Sequence, residues 1–335
     1  MPKQKVILNP YPRPLDMIMS NQDAERLHDL VDVIWGKDED IPDSEFARAC
    51  RDAYAFITSS WRSRPLDDMP NLRAIMETGG RHPSPAHLDY ETCFARGIRV
   101  LSCSPAYGPM VAEMALGMAI AAARGIVSAH NDFVAGEEFY LYPSNSTAFT
   151  LYDQPVGFIG FGGLAQSLRP LLAPFRCPIQ VYDPWLPPSF ISERGCTPVS
   201  LKELLSESRI IFVLAIPSNE NKAMLDRELL SLIRSDAVLL LISRSHLVDF
   251  DALTDLLHQG RFRAAIDVFP QEPLATDHPI RTAPNTILSA HRAGSVWQDM
   301  HAIGRMVVDD LETMLAGLPP TKMQTAQPEL IYRLP

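Results

Sequence analysis

Residues 156–165 read VGFIGFGGLA, an apolar run followed at once by a glycine-rich turn. The turn fits the pattern G-x-G-x-x-A, with Gly160, Gly162 and Ala165 at its fixed positions. The first glycine permits a tight turn, the second lets the backbone approach a pyrophosphate, and the small third residue lets a helix pack closely on the strand. The stretch therefore predicts a buried strand, a phosphate-binding turn and the N-terminus of a helix.

An acidic residue stands where a bound dinucleotide would use it. Asp183 follows the next apolar run, residues 179–182, and its carboxylate can accept hydrogen bonds from an adenosine ribose hydroxyl. A carboxylate there would repel a 2′-phosphate, which favours NAD over NADP. With Gly163 and Leu164 at the start of the predicted helix, these residues predict an NAD site. The alternative is a glycine-rich turn with an incidental aspartate, and the agreement of strand, spacing and acid speaks against it.

The second half of the chain predicts a doubly wound parallel sheet. Its short, nearly continuous apolar runs are typical of strands buried on both faces, and helical patterns such as 249–259 lie between them. The predicted strands are residues 156–159, 179–182, 210–214, 238–242, 264–266 and 286–288.

The N-terminal part of the chain predicts a second α/β unit. Apolar runs alternate with amphipathic stretches, such as 23–30 and 86–96, as in a parallel sheet covered by helices. The predicted strands are residues 6–8, 32–35, 54–57, 73–76 and 99–102. An Ala- and Met-rich helix is predicted over 111–126, apolar enough to be buried between domains or subunits. A chain of 335 residues has room for both units as separate domains.

Composition and charge exclude several kinds of partner. The 30 Lys and Arg against 40 Asp and Glu give a net charge of −10, which repels phosphate backbones and anionic membrane surfaces. We therefore expect neither a nucleic acid nor a membrane partner. The 5 cysteines are widely spaced and show no zinc-ligand pattern, so we expect free thiols and no metal site. Free thiols and the absence of a signal-peptide pattern predict a cytoplasmic location.

Polar residues follow several predicted strands of the second half. Ligands of open α/β sheets bind outside the carboxyl ends of the strands, so these side chains should converge on one edge. They are Gly160, Asp183, Arg244, Asp267, Glu272 and His291.

Three of these residues have the chemistry of hydride transfer between NAD and a 2-hydroxy or 2-oxo acid. The fork of Arg244 can hold a carboxylate and polarise the adjacent carbonyl. His291 can donate a proton to the developing alkoxide, since the ordinary pKa of histidine, roughly 6.5, is close to working pH. Glu272 would orient the imidazole and favour its protonated form. Taken singly, each residue could equally be a solvated charge, a turn residue or a surface histidine.

These segments resemble the D-isomer-specific 2-hydroxyacid dehydrogenases. Residues 242–249, ISRSHLVD, are similar to the A-R-G-x-x-V-D element of that family, and residues 267–274, DVFPQEPL, to its D-V-F-x-x-E-P-L element. Residues 285–294, NTILSAHRAG, are similar to N-V-I-L-T-P-H-x-A-G. The resemblance implies that Arg244 binds substrate and that Glu272 partners the catalytic His291. It further implies that the cofactor is lined by Ser243, Arg244, Asp267 and His291, with Asp267 facing the nicotinamide.

The resemblance also extends to the first half. Gly79, Gly80 and Arg81 occupy the place of the family loop whose backbone amides receive the substrate carboxylate. The implied fold is α/β, with two Rossmann-like or flavodoxin-like domains built on parallel sheets. A discontinuous substrate domain, residues 1–105 plus 297–335, would accompany a doubly wound NAD-binding domain, residues 106–296. A homodimer formed around the cofactor domain and the apolar helix is also implied.

Departures from the family pattern leave the substrate open. Ser245 and Ala290 replace a Gly and a Pro, and the substrate loop carries an arginine. Arg81 or Arg292 could contact a second anionic group, as in a dicarboxylate or phosphorylated acid, although both could be solvated surface residues. Two further alternatives are a phosphite- or formate-type dehydrogenase of the same family and an NAD(H)-sensing protein resembling the corepressors that share this fold.

Overall fold

The computed structural model describes residues 2–62 and 64–334, and the chain divides into two compact units. Unit 1 contains residues up to Tyr107 and from Ser295 onward, and unit 2 is Gly108–Gly294. The predicted limits at 105 and 297 lie close to these. Both units are built on sheets dominated by parallel strands, so the α/β class is confirmed. Helices and strands are numbered below in chain order.

The sheet of unit 1 has the order β13-β5-β4-β3-β1-β2. Strands β1 to β5 pair in parallel, and β13 is antiparallel to β5. The five predicted strands are confirmed, whereas β13 is too short for a pattern to indicate it. The strands are β1 Lys5–Asn9, β2 Asp32–Trp35, β3 Ala53–Thr58, β4 Ala74–Glu77, β5 Arg99–Ser102 and β13 Gln324–Thr325.

The helices of unit 1 come from both ends of the chain. Gly304 lies where the C-terminal helix α12 meets the N-terminal segment, and a Cβ there would be 2.6 Å from the carbonyl oxygen of Ile18. Asp310 of the same helix is fully buried and accepts hydrogen bonds from the amides of residues 321–323. The helices are α1 Leu15–Ile18, α2 Asn21–Leu30, α3 Asp43–Ala49, α4 Tyr90–Ala95, α12 His301–Leu315 and α13 Pro328–Ile331.

The sheet of unit 2 is parallel throughout and has the order β12-β11-β10-β9-β6-β7-β8. The six predicted strands are present, and β8 extends the sheet beyond β7. The chain runs outward from β6 in one direction through β7 and in the other from β9, so the strand order switches between β6 and β9. The strands are β6 Val156–Ile159, β7 Ile179–Tyr182, β8 Thr197–Pro198, β9 Ile210–Val213, β10 Val238–Leu241, β11 Arg263–Ile266 and β12 Thr286–Leu288.

The helices of unit 2 pack on this sheet except α6, Ile126–Ala135, which has no buried residues. The stretch predicted as helical over 249–259 forms a helix whose N-terminus is capped by the Asp249 side chain. The helix after the glycine turn contains Pro170 and ends at Leu172. The helices are α6 Ile126–Ala135, α7 Gly163–Leu172, α8 Pro188–Ser192, α9 Leu201–Glu207, α10 Arg227–Leu230 and α11 Phe250–His258.

Helix α5, Ser104–Arg124, runs through the boundary between the units. It begins before the predicted 111 and includes Pro109, which near the start of a helix removes few backbone hydrogen bonds. By length and composition it is the one helix in 2–62 and 64–334 that could cross a membrane. Ala112, Ala115 and Ala119 are nevertheless fully buried in the core of unit 2. Small residues at this spacing are typical of a core helix on which neighbouring elements pack closely.

Several large apolar side chains after α5 are exposed. Helix α6 has no buried residues, and Phe133 and Val134 are 61% and 74% exposed. The next segment exposes Phe139 and Tyr140 to 73% and 71%. We call residues 126–142 the apolar arm. A concentration of exposed apolar side chains in one segment is typical of a surface that binds another molecule.

Candidate active site

The glycine turn leaves space where a pyrophosphate would bind. Gly160 has a φ of +94°, and a Cβ there would lie 2.5 Å from the Cα of Ala215, so this position requires glycine. At Gly162 and Gly163, in contrast, an added Cβ would have no atom within 4 Å apart from those of adjacent residues and of the helix backbone itself. Helix α7 begins at Gly163 and has no side-chain cap, which leaves amides of its first turn directed at this space. The predicted cradle therefore fits a dinucleotide phosphate.

Asp183 is fixed beside this turn. One carboxylate oxygen accepts a hydrogen bond from the Phe161 amide at 2.8 Å, and the other accepts one from the Trp185 amide at 2.9 Å. The sequence placed Asp183 near the adenosine ribose but did not indicate that it also holds the glycine turn. The two bonds leave further lone pairs on the carboxylate, which suit a ribose hydroxyl.

His291 and Glu272 form a hydrogen-bonded pair, with 2.6 Å between Nδ1 of His291 and Oε2 of Glu272. Their side chains are 42% and 35% exposed, so the pair is accessible from solvent. Oε1 of Glu272 accepts a hydrogen bond from the Phe269 amide at 3.0 Å. Partial burial opposes ionisation of Glu272, but the hydrogen bonds from His291 and Phe269 and nearby positive charge outweigh it and lower its pKa.

This pairing determines which ring nitrogen is available for chemistry. An ionised carboxylate can only accept hydrogen bonds, so Nδ1 of His291 must carry a proton and donate it to Glu272. Nε2 is then the nitrogen that can exchange a proton with another molecule. The arrangement is that of a general acid and base oriented by a carboxylate.

Asp267 holds the turn that carries His291. Its carboxylate is fully buried and accepts hydrogen bonds from the amides of Arg292 at 3.0 Å and Ala293 at 3.1 Å. The amide of His291 donates to the Asp267 carbonyl at 2.7 Å, and His291 itself has a positive φ of 52°. Sequence reasoning missed this supporting contact, because it depends on the path of a loop. The predicted role of Asp267 toward the nicotinamide stays a prediction.

Arg244 follows β10 and is exposed. Its Nη1 donates to the Ser243 carbonyl at 2.7 Å, and its charge contributes to the lowered pKa of Glu272. The Ser243 hydroxyl is buried without a hydrogen-bond partner. Because β10, β11 and β12 are neighbours in the sheet, Arg244, Glu272 and His291 leave it at the same edge. The structure therefore brings the three predicted catalytic residues of unit 2 together.

The loop predicted to bind the substrate carboxylate belongs to unit 1. Gly79 and Arg81 follow β4, and their amides donate to the buried Glu77 carboxylate at 2.8 Å and 3.1 Å. Gly80 has a φ of +89°, and a Cβ there would lie 2.7 Å from the ring of Tyr107. Two of the predicted binding amides are thus already bonded to a carboxylate of the chain itself. No sequence pattern singled out Glu77.

A family model described as D-isomer specific 2-hydroxyacid dehydrogenase, NAD binding domain, matches residues 116–293. These residues lie within unit 2 and include the glycine turn, Asp183, Arg244, Glu272 and His291. The match covers more than half of the chain.

Relatives of known structure and sequence agree with this match. The chain is 36% identical to a phosphoglycerate oxidoreductase from Rhizobium etli, with a TM-score of 0.85 over 97% of this chain and 99% of that one. It is 27% identical to a glyoxylate reductase from Thermococcus kodakarensis, over 86% of this chain and 88% of the relative.

A D-3-phosphoglycerate dehydrogenase from Methanocaldococcus jannaschii is 26% identical over 82% of this chain but 52% of its own length. The chain thus spans about half the length of the phosphoglycerate dehydrogenases that it matches. The matched domain, its glycine turn and the Arg–Glu–His set agree with one another: the chain belongs to the D-isomer-specific 2-hydroxyacid dehydrogenase family, and unit 2 is its NAD-binding domain.

Proposed function

We propose that the chain is an NAD-dependent oxidoreductase that interconverts a D-2-hydroxy acid and its 2-oxo acid. The observation that carries the proposal is the exposed His291–Glu272 pair, with Arg244 at the same sheet edge as the dinucleotide turn. A cation, an oriented imidazole and a dinucleotide cradle are the parts that this reaction requires.

Three residues of unit 2 have distinct roles in the proposed reaction. When bound, NAD would supply the hydride chemistry at C2 of the acid. Arg244 holds the carboxylate of the acid and draws charge toward the C2 oxygen. Nε2 of His291 gives a proton to that oxygen during reduction and takes it back during oxidation. Glu272 keeps the ring oriented and stabilises the imidazolium that forms when His291 accepts a proton.

Further residues complete the proposed sites. Cofactor binding is assigned to Gly160, Gly162, Gly163, Leu164, Asp183, Ser243, Arg244, Asp267 and His291. Substrate binding is assigned to Gly79, Gly80, Arg81, Arg244 and His291. We assign NAD rather than NADP as the preferred cofactor, since Asp183 would face the 2′ position of the ribose with a negative charge.

The test is oxidation of NADH by the purified chain with a panel of 2-oxo acids, followed by absorbance. We expect turnover of about 1 to 10³ s⁻¹ with at least one acid and much weaker activity with NADPH. An enzyme that binds NADH but turns over no 2-oxo acid would contradict the proposal. Phosphite and formate, assayed with NAD, test the related reactions, and NADH-dependent oligomerisation without turnover would support the NAD(H)-sensing alternative.

A second anionic group on the substrate is favoured by two observations. Arg81 and Arg292 are both exposed, and the Rhizobium etli relative is a phosphoglycerate oxidoreductase. Each guanidinium could bind a phosphate or a second carboxylate. The panel should therefore pair each simple 2-oxo acid with its phosphorylated or dicarboxylic counterpart.

We propose a homodimer in which the apolar arm is covered by a second copy. Phe133→Asp combined with Tyr140→Asp should convert the dimer to monomers, because two charges would enter a buried apolar contact. Light scattering coupled to size-exclusion chromatography measures the change. Leu318→Asp, at an exposed apolar residue of unit 1, is the matched control and should leave the dimer intact. Wild-type protein that is monomeric at all concentrations would contradict the proposal.

The cytoplasmic location also stays a proposal. All five cysteines are free thiols, four buried and one half-buried, as in proteins from a reducing compartment.

A further inference from the structure

Glu77 is a buried carboxylate that none of the proposed catalytic steps uses. It is the last residue of β4, and 3% of its surface is exposed. Removing a carboxylate from water is costly unless hydrogen-bond donors replace the water. The donors here are two backbone amides of the loop that follows the strand.

The two oxygens of Glu77 bind different amides of that loop. Oε1 accepts from Gly79 at 2.8 Å, and Oε2 accepts from Arg81 at 3.1 Å. The donors lie on either side of Gly80, where the positive φ turns the chain. The carboxylate therefore fixes both halves of the loop at once.

Side chains pack against the two glycines of the loop so closely that an added Cβ would overlap them. A Cβ on Gly79 would lie 2.4 Å from Oε1 of Glu77, and a Cβ on Gly80 would meet the ring of Tyr107. Arg13 donates to the Tyr107 hydroxyl and, at 3.4 Å, to the Gly79 carbonyl. The loop is thus held by the carboxylate on its amides and by Arg13 and Tyr107 around its glycines.

Unit 2 also contains a buried carboxylate that accepts hydrogen bonds from two loop amides. Asp267, directly after β11, is a buried carboxylate that binds the amides of Arg292 and Ala293 and so fixes the turn of His291. In both units a carboxylate at the carboxyl end of a strand binds two amides of a loop with an assigned role. By analogy with Asp267, Glu77 contributes to the role of its loop by fixing the conformation of the loop.

The groups around Glu77 determine when it is ionised. Burial raises its pKa from the ordinary 4.5 to about 7, although the two amides and the charges of Arg13 and Arg81 favour the ionised form. The other titratable groups that face it are Tyr90, Cys103 and Tyr107, and burial raises the pKa of each. Glu77 is therefore the member of this group that changes charge near neutrality.

We propose that Glu77 is a positioning residue: when ionised it binds the Gly79 and Arg81 amides and holds the loop so that the exposed Arg81 side chain is available to substrate, and when protonated it loosens the loop. The proposal rests on the proposed function for the identity of the bound group, a carboxylate. An ionised carboxylate makes two charge-assisted bonds, whereas protonation places a hydroxyl on one oxygen and weakens its bond to the amide.

The direct test is hydrogen–deuterium exchange of residues 78–82, measured by mass spectrometry without substrate. After correction for the intrinsic pH dependence of exchange, protection in the wild type should fall about tenfold from pH 8 to pH 6. Glu77→Gln should show the lower level of protection at both pH values. Its side chain has one acceptor oxygen, whereas the NH2 group in place of the second oxygen cannot accept a hydrogen bond. Glu91→Gln, an exposed position on α4, is the matched control and should exchange like the wild type.

A stability measurement provides a second readout that needs no activity. A carboxyl group whose pKa is higher in the folded chain stabilises the fold below the unfolded-state pKa and loses that contribution as the pH rises toward 7. The melting temperature of Glu77→Gln relative to wild type should therefore rise between pH 4.5 and pH 7.

A kinetic test asks whether the hold of Glu77 on the loop contributes to substrate binding. At pH 8, Glu77→Gln should raise KM for the 2-oxo acid about tenfold and leave kcat within about twofold, as expected for lost ground-state binding. Between pH 8 and pH 6, KM should rise more in the wild type than in the variant.

The outcomes separate the two proposals. If hydrogen exchange at residues 78–82 of the wild type did not change with pH, the proposal that ionised Glu77 holds the loop would be wrong, whatever the variant does. A loosened loop with unchanged KM would overturn its role in substrate binding. A wild type without turnover on any acid would overturn the proposed function, while the exchange experiment would still decide whether Glu77 holds the loop.

Discussion

Replacing His291 by alanine is expected to lower kcat for 2-oxo acid reduction by about 10² to 10⁴, the usual contribution of a positioned general acid. Nε2 of His291 is the group that supplies the proton, since Nδ1 is committed to Glu272 at 2.6 Å. The change in kcat is measured by NADH absorbance at saturating acid.

The dissociation constant for NADH is the internal control. His291 is itself assigned to the cofactor site, so NADH binding is measured by fluorescence and kcat is compared at saturating NADH. His28→Ala, at an exposed position of α2, tests for nonspecific effects of removing an imidazole and should behave as wild type. If His291→Ala retained full turnover, the proton-transfer role would be wrong.

Glu272→Gln separates orientation from charge in the same pair. Glutamine can still accept a hydrogen bond from Nδ1 but does not stabilise the imidazolium with a negative charge. Because the pKa of Glu272 is lowered, the wild-type carboxylate stays ionised throughout the neutral range. The charge is therefore present at every pH where His291 is expected to work.

The strands and the glycine turn could be predicted because the signals for them are local. A buried strand such as β6 appears as an apolar run, and the turn after it is specified by the fixed positions of Gly160, Gly162 and Ala165. The convergence of Arg244, Glu272 and His291 followed from the rule that parallel strands present their carboxyl ends at one edge.

The supporting carboxylates could not be predicted in the same way. Glu77 and Asp267 bind backbone amides, and the donors are specified by loop conformation rather than by residue type. Glu77 stands at the end of an apolar run, where an acid usually indicates the solvent-exposed end of a strand. Strand β13 was missed for a related reason, since its pairing with β5 depends on where the C-terminal segment lies.

Removing the guanidinium of Arg244 should have an effect at least as large as removing the His291 imidazole. Arg244→Ala is expected to lower kcat/KM for the 2-oxo acid by about 10³ to 10⁵. Loss of charge-assisted bonds to the carboxylate contributes about 1.5–3 kcal/mol, and loss of a donor aimed at developing oxygen charge contributes about 10² to 10³ in rate. Steady-state kinetics over a wide range of acid concentration measures the change.

Arg244→Lys tests whether the planar fork matters beyond the charge. Lysine keeps the positive charge but presents it as a point, so it should recover only part of the loss. Added guanidinium should raise the activity of Arg244→Ala and leave that of Arg244→Lys unchanged, because only the smaller side chain leaves space for the ion.

The control for Arg244 is Arg261→Ala, which removes an exposed guanidinium after α11. It should leave kcat/KM unchanged, because Arg261 lies outside the proposed site. A second effect is expected only at Arg244: its charge helps to keep Glu272 ionised, so Arg244→Ala should raise the pKa of that carboxyl. An Arg244→Ala enzyme within tenfold of wild-type kcat/KM would show that the substrate carboxylate is held elsewhere, and the roles assigned to the Arg–Glu–His set would have to be redrawn.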